Sequence, residues 1–171
     1  MVIESYKNRT FKNLMKLKNR KFRTQNDVFL AEGKKQTGGI SKNWIIKQII
    51  ISNDYEHIKY LKNIKNIIVL SKNLFTKLAD TKSPQGIIAV VEKKHYKIEK
   101  LIKQHGFFII LENIQDPGNL GTIIRSADAF GVKAVFVSTG STDVYSDKTI
   151  RSTTGSFFNI PVVDNVNIKE L

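Results

Sequence analysis

The sequence predicts an α/β protein, and three observations carry that expectation. Short, unbroken apolar runs recur at residues 28–31, 49–51, 67–70, 87–91, 107–111 and 134–137, each of a length that suits a strand. Between several of them lie stretches whose apolar residues are spaced by three and four, the period of a helix with one buried face. Residues 107–131, FFIILENIQDPGNLGTIIRSADAFG, hold the whole pattern in one unit: an apolar run, a turn and an amphipathic helix, with the run 134–137 next. That order is a β-loop-α-β unit, which within one sheet joins parallel strands by a crossover.

Composition bounds what such a protein can be. With 171 residues and 41% hydrophobic content, the chain can bury one core or two small ones. It has no Cys, which excludes a disulfide scaffold, thiolate metal sites and a Cys nucleophile. Its three His are scattered, so no metal site is expected. The basic N-terminus has no apolar run behind it, so no signal peptide is expected. No stretch approaches membrane-spanning length. The expected location is the cytoplasm, with no membrane partner.

The net charge of +13 is unevenly placed. Residues 1–103 hold 23 Lys and Arg against 8 Asp and Glu, and residues 104–171 hold 5 against 7. A basic module followed by a near-neutral one suggests that the first part grips RNA. Solvated lysines throughout the chain would not leave the second part neutral.

Taken in order, residues 5–26 read as a basic helix. Phe11, Leu14, Met15, Leu17 and Phe22 form a narrow apolar stripe. Arg9, Lys12, Lys16, Arg20 and Arg23, with Lys18 and Lys21, coat the rest. Such a helix serves a phosphate backbone or a membrane surface; the small apolar face without Trp favours nucleic acid, and a plain solvated helix is the third option. Residues 28–31 are a strand ending at Glu32-Gly33. Residues 34–43 are poor helix material: Gly38 and Gly39 together cost roughly 2 kcal/mol relative to Ala, so this element should be short or broken. A strand follows over residues 45–51, a helix over 54–64, a strand over 67–70, a helix over 72–79 capped by Ser71, a loop over 80–86 and a strand over 87–91. Residues 92–104 are a charged linker running into a short helix, with a domain boundary near residue 97 and His95 at the surface.

In the central unit, 107–111 reads as a strand buried on both faces, ended by Glu112 and Asn113. Asp116-Pro117-Gly118 is turn chemistry. Asn119 is placed to cap the helix, whose apolar positions are Leu120, Ile123, Ile124, Ala127 and Phe130, and Gly131 ends it. Beyond lie a loop over 138–147, a helix over 148–154 and a strand over 159–163. Polar residues at the carboxyl ends of parallel strands mark ligand sites in open α/β sheets. Here they are Glu112, Asn113, Gln115, Asp116 and Asn119. Arg125 stands inside the helix, either as part of such a site or as a solvated residue paired with Asp128 three positions on.

The spacing N-x-x-D-P-x-N-x-G-x-x-x-R-x-A-x-x-F-G, formed by Asn113, Asp116, Pro117, Asn119, Gly121, Arg125, Ala127, Phe130 and Gly131, resembles the first motif of the SpoU-type (TrmH-like) RNA ribose 2′-O-methyltransferases of the trefoil-knot superfamily. The segment Lys148, Arg151, Gly155, Ser156, Phe158 and Pro161 is similar to the family's next motif. Phe29-Leu30-x-Glu32-Gly33 and residues 80–86, DTKSPQG, resemble its substrate-binding domain.

The resemblance implies a basic N-terminal helix over residues 1–26, a ribosomal-protein-like α/β RNA-binding domain over 27–96, and the N-terminal part of a parallel-sheet, knotted methyltransferase domain over 97–171. It implies S-adenosylmethionine as methyl donor and ribosomal or transfer RNA as substrate, with RNA as partner and a homodimer formed through the knot. It assigns activation of the ribose hydroxyl to Arg125, supported by Asn119. Glu112, Asn113, Asp116 and Gly121 shape the motif, and Lys148 and Arg151 grip RNA with the basic residues of the N-terminal helix. The family's cofactor-binding segments, a Gly-Glu loop and a Ser-Leu-Asn helix, do not occur in the 171 residues. The chain is therefore expected to lack a cofactor pocket and to be either a fragment of an enzyme or an RNA-binding protein without catalysis.

Overall fold

The computed structural model describes residues 1–56 and 66–171; the helix expected over residues 54–64 falls largely outside them. The described residues form two compact units, residues 1–38 with 42–93 and residues 39–41 with 94–171.

The first unit is built on a five-stranded sheet. Its elements in chain order are β1 (Val2–Ile3), α1 (Arg9–Lys16), α2 (Arg20–Asn26), β2 (Val28–Glu32), α3 (Lys34–Gly39), β3 (Ile46–Ser52), β4 (Ile67–Leu70), α4 (Lys72–Leu78) and β5 (Ile87–Glu92). The strands lie in the order β1-β4-β3-β5-β2. β1, β4 and β3 are mutually parallel, whereas β5 runs antiparallel to both β3 and β2. One sheet face is covered by Phe11, Leu14 and Leu17 from the N-terminal segment and Leu74, Phe75 and Leu78 from α4, packed on Leu30, Ile50, Ile88 and Val90. Of the ten-residue stretch 34–43, expected to be short or broken as a helix, only Lys34–Gly39 is helical.

Residues 1–26 are thus not a helix set apart from a domain. Two helices replace the single expected one, each opened by an Asn whose side chain accepts first-turn amides: Asn8 from Thr10 and Phe11, Asn19 from Lys21. The break between them reverses the role of one basic residue. Arg23, expected on an RNA-binding face, is 4% exposed. Its Nη1 donates to the carbonyls of Leu17 at 2.9 Å and Lys18 at 2.7 Å, closing the carboxyl end of α1, where a cation also suits the helix dipole. Lys18 does the same for α4, donating to the carbonyls of Leu78 and Ala79 at 3.1 Å each.

Arg23→Ala should therefore cost about 2 kcal/mol, the range for a hydrogen bond to a charged group left unmade in the interior. The single Trp of the chain, Trp44, lies in this unit with its ring edge-on to Phe29, so its fluorescence in a urea titration reads the loss directly. An unchanged midpoint would mean that the two carbonyls find water.

The family-like segments around Glu32 and Gln85 are two sides of one clasp. The Glu32 carboxylate accepts the amide of Asp80 at 2.7 Å and the Thr81 hydroxyl. Gln85 Oε1 accepts the amide of Lys34 at 2.7 Å. Ser71 stands at the N-cap of α4 without capping through its side chain; Asn53 Oδ1 takes the Lys72 amide instead.

The second unit holds α5 (Ile98–Leu101), β6 (Phe108–Leu111), α6 (Pro117–Ala129), β7 (Ala134–Ser138), α7 (Asp147–Ser152), a 3-10 turn at Ser156–Phe158, and β8 (Val162–Val166). Its sheet is β6-β7-β8, all parallel. β7 is buried along its whole length. Ala134 and Phe136 pack with Leu101, Tyr96, Phe108 and Val166, and Val135 and Val137, by alternation, face the other way. β6 departs from expectation. It is not buried on both faces: Ile110 is 51% exposed, and Phe107, just before the strand, 83%. Phe130 is also exposed rather than part of the buried stripe. The last strand begins at Val162, later than expected, since Phe157 and Phe158 are buried in the 3-10 turn before Pro161.

Candidate functional site

The site is built at the carboxyl ends of β6 and β7. β6 ends at Leu111, and two residues on Asn113 adopts a left-handed backbone with φ 52°, a conformation Asn tolerates better than most residues. Its amide donates to Ser138 Oγ at 3.0 Å, at the end of β7. The two following loops are stitched together. Gln115 Nε2 donates to the Gly140 carbonyl at 3.1 Å, and the Thr142 amide to the Ile114 carbonyl at 2.7 Å. Ser138 had no place in the sequence expectation. A hydroxyl closing an otherwise apolar strand was its only signal.

The N-cap of α6 is Asp116, not Asn119. Asp116 Oδ1 accepts the Asn119 amide at 2.7 Å and Pro117 takes the first helical position, where its missing N–H costs nothing. Asn119 lies within the first turn, with its side chain exposed. The helix ends in a Schellman motif, with the Val132 amide bonded to Ala127 O at 3.0 Å and Gly131 at φ 69°.

Asp116 also organises the second motif. Lys148 Nζ lies 2.9 Å from Asp116 Oδ2. Lys148, expected to grip RNA, is thus engaged in an ion pair that ties α7 to the start of α6. The hydrogen bond from Lys148 and then the Asn119 amide hold the Asp116 carboxyl below its ordinary pKa. The folded-state pKa is depressed, so the stabilisation is present above the unfolded value of about 3.9 and is lost as pH falls below it. Asp116→Asn should flatten the pH dependence of unfolding below about pH 4; an unchanged acid limb would show that the pair contributes nothing.

Gly121 sits where α6 and α7 come closest. A Cβ there would lie 2.5 Å from Ser152 Cβ and 2.6 Å from the Thr149 carbonyl oxygen. Gly121, Arg125 and Asp128 follow at spacings of four and three, one side of the helix. Gly121 faces α7, and Asp128 accepts Asn159 Nδ2 at 2.9 Å. Arg125 lies between them, exposed, with no hydrogen bond or ion pair among the described residues. The i+3 pairing with Asp128 does not form. Arg151 is half-buried on α7. Glu112 is exposed at the strand end, beside Asn113. Arg9, Lys12, Lys16 and Arg20 are exposed in the first unit.

The described residues contain no cluster of His, Asp or Glu able to hold a metal ion, and none of their helices is long and apolar enough to cross a membrane.

A parallel sheet with a polar loop–helix motif at its carboxyl end is the arrangement in which open α/β folds bind ligands. Residues 106–171 match the SpoU rRNA Methylase family, and residues 8–89 match the MRM3-like substrate binding domain. The second unit is thus similar to the SpoU rRNA methylases and the first to the substrate-binding domain of such enzymes. It is 37% identical over 162 residues to 23S rRNA (guanosine(2553)-2'-O)-methyltransferase RlmP of Bacillus subtilis (strain 168), an alignment covering 94% of this chain and 64% of that protein. It is 30% identical over 160 residues to the mitochondrial rRNA methyltransferase 3 of Homo sapiens, covering 88% and 38% of the two chains. The crystal structure of an AdoMet-bound rRNA methyltransferase from Sinorhizobium meliloti superimposes with a TM-score of 0.85 at 26% identity, covering 99% of this chain and 66% of the other. The SpoU methyltransferase AviRb from Streptomyces viridochromogenes, in complex with AdoMet, gives 0.85 at 28% identity. The chain spans less than two thirds of the length of these relatives.

Proposed function

We propose that the protein methylates a ribose 2′-hydroxyl of ribosomal RNA, with S-adenosylmethionine as donor. The observation that carries this is Arg125, exposed and unpaired on α6 beside the α7 segment, at the position of the family motif. Residues 27–96, with the two N-terminal helices packed on them, form the RNA substrate-binding domain and residues 97–171 the methyltransferase part, knotted and dimeric when complete, in the cytoplasm. The basic residues Arg9, Lys12, Lys16 and Arg20 contact the RNA backbone, and Arg151 does so from α7.

The residues present do not by themselves fit the cofactor. The polar groups at the carboxyl ends of β6 and β7 are bonded to one another: Asn113 to Ser138, Gln115 to Gly140, Ile114 to Thr142. An adenosine would need such donors and acceptors free. The cofactor pocket therefore belongs to the third of the family's length that lies outside this alignment, and the residues at hand act on the RNA.

Arg125 cannot serve as a free base, because guanidinium stays protonated. Its N–H groups donate to the ribose hydroxyl oxygen or its phosphate, fixing the attacking oxygen and stabilising the charge that develops as its proton leaves. Asp116 and Gly121 hold α6 against α7 and so aim the guanidinium.

Deleting the gene should remove one 2′-O-methyl nucleotide from large-subunit ribosomal RNA, read by alkaline-hydrolysis mapping, and reintroducing it should restore the mark. An unchanged methylation map would remove the reading and favour an RNA-binding protein without catalysis.

A further inference from the structure

In the first unit, α1 and α2 and residues Val28, Lys47, Gln48 and Val90 of β2, β3 and β5 line an open groove of about 760 Å³, a volume suited to a small ligand. We propose that this groove takes an unstacked base of single-stranded RNA, with Phe22 as the stacking surface. The proposal rests on the reading of this unit as an RNA-binding domain and names the feature of the RNA that it recognises.

The groove combines the three kinds of group that such recognition needs. Its floor is apolar, formed by Leu14, Val28 and Val90, with the half-buried ring of Phe22 at the side. The Phe22 ring is already engaged by a cation, with Lys16 Nζ 5.7 Å from its centroid. An aromatic face with a nearby cation is what a base and its phosphate meet in single-strand-binding proteins. The groove also presents the side-chain amides of Asn13, Gln25 and Gln48. Asn13 and Gln25 make no hydrogen bond among the described residues, so their donors and acceptors are available to the edge of a base. Lys47 stands at the rim, its ammonium paired with Glu92. The β3 strand shifts register between Ile46 and Gln48, and such bulges re-aim side chains beside functional sites.

Charge selects RNA over a protein segment as the occupant. Residues 9–26 contain seven Lys and Arg and no Asp or Glu. Lys18 and Arg23 are engaged inside the fold with carbonyls, but Arg9, Lys12, Lys16, Arg20 and Lys21 remain exposed. Lys16 lines the groove itself, and the others stand on the same two helices, where they can meet the phosphates on either side of an inserted base. An A-form duplex keeps its bases stacked and inaccessible to such a ring, whereas a loop or bulge can splay one out.

The test uses the 171-residue chain and a fluorescein-labelled 12-nucleotide single-stranded RNA, titrated at salt concentrations from 50 to 200 mM. The wild type should bind with a steep salt slope, about a thousandfold weaker at the upper limit if six phosphates are neutralised. Phe22→Ala should lower affinity about tenfold at every salt concentration without changing the slope. Phe22→Tyr should restore most of it. Lys16→Ala should instead reduce the slope by about one. Phe22→Ala binding like wild type, with its Trp44 emission unchanged, would overturn the groove and leave the RNA reading standing, as it would if the groove takes a protein segment. Wild type that shows no salt-dependent binding would overturn the RNA reading itself. Should Phe22→Ala fail to fold, cross-linking wild type to the same RNA carrying 4-thiouridine decides: adducts within residues 13–28 or 47–48 support the groove, and adducts confined elsewhere overturn it.

Discussion

Gly121→Val should unfold the second unit at temperatures where the first is still native. A Cβ at this position would stand 2.5 Å from Ser152 Cβ and 2.6 Å from the carbonyl oxygen of Thr149. One of these neighbours is backbone and the other is fixed on α7, so neither can swing aside. The helices must separate, and three contacts are strained together: the Asp116–Lys148 pair, the Asp128–Asn159 hydrogen bond and the burial of Leu120, Ile124 and Ile150. Forcing extra volume into such a contact costs about 3 kcal/mol or more. For a unit of this size the midpoint should fall by roughly 10–20 °C. The chain reports the two units separately. Trp44 is the only Trp and lies in the first unit, so its fluorescence transition should hardly move while the far-ultraviolet circular dichroism transition of the second unit drops. Gly121→Ala should show a smaller shift of the same sign. A wild-type dichroism midpoint in Gly121→Val would mean that α6 and α7 part without loss.

That Gly was legible in the sequence only as a member of a spaced motif; its reason is a helix–helix distance. The same division runs through the molecule. Strands β2, β4, β5 and β7 could be read from apolar runs because run length and strand length coincide there. β6 could be read too, but not its exposure, since an apolar run says nothing about what covers each face of a strand. The cap of α6 was misassigned by three residues. Both Asp116 and Asn119 can cap, and the deciding signal was Pro117, which belongs at the first helical position. Arg23 is the clearest case. Its charge and its helical spacing placed it on the surface with its basic neighbours. Only the chain break at Asn19 carries its guanidinium to the end of α1, and two Asn residues eleven apart, each able to open a helix, were the available hint. Lys148 follows the same logic, a basic residue whose partner, Asp116, lies 32 positions away. Long-range pairing of groups is what a one-dimensional reading cannot supply: it takes Arg23 into the interior and gives Lys148 a partner on α6.

Arg125 stays unpaired, and in a complete gene product that methylates rRNA as proposed, Arg125→Ala should lower the single-turnover rate about a hundredfold or more, the range for removing one donor aimed at developing charge. RNA affinity should change little, because a group that acts mainly in the transition state affects rate rather than ground-state binding. Several observations separate this from a solvated helix residue. Asp128, the acid best placed to pair with Arg125 along the helix, accepts Asn159 instead. The helix is anchored at both ends of the Arg125 stripe, by Gly121 against α7 and by Asp128 against Asn159, so the guanidinium stands on a rigid element. The side chain remains exposed on α6, about two turns after the helix leaves the carboxyl end of β6. Arg125→Lys keeps the charge and loses the planar fork, so it should recover only part of the rate. Rates measured on the gene product with saturating S-adenosylmethionine, alongside filter-binding affinities for the same RNA, separate the two effects. Turnover near wild type in Arg125→Ala would return this residue to the surface of α6, with the reacting hydroxyl positioned by other groups.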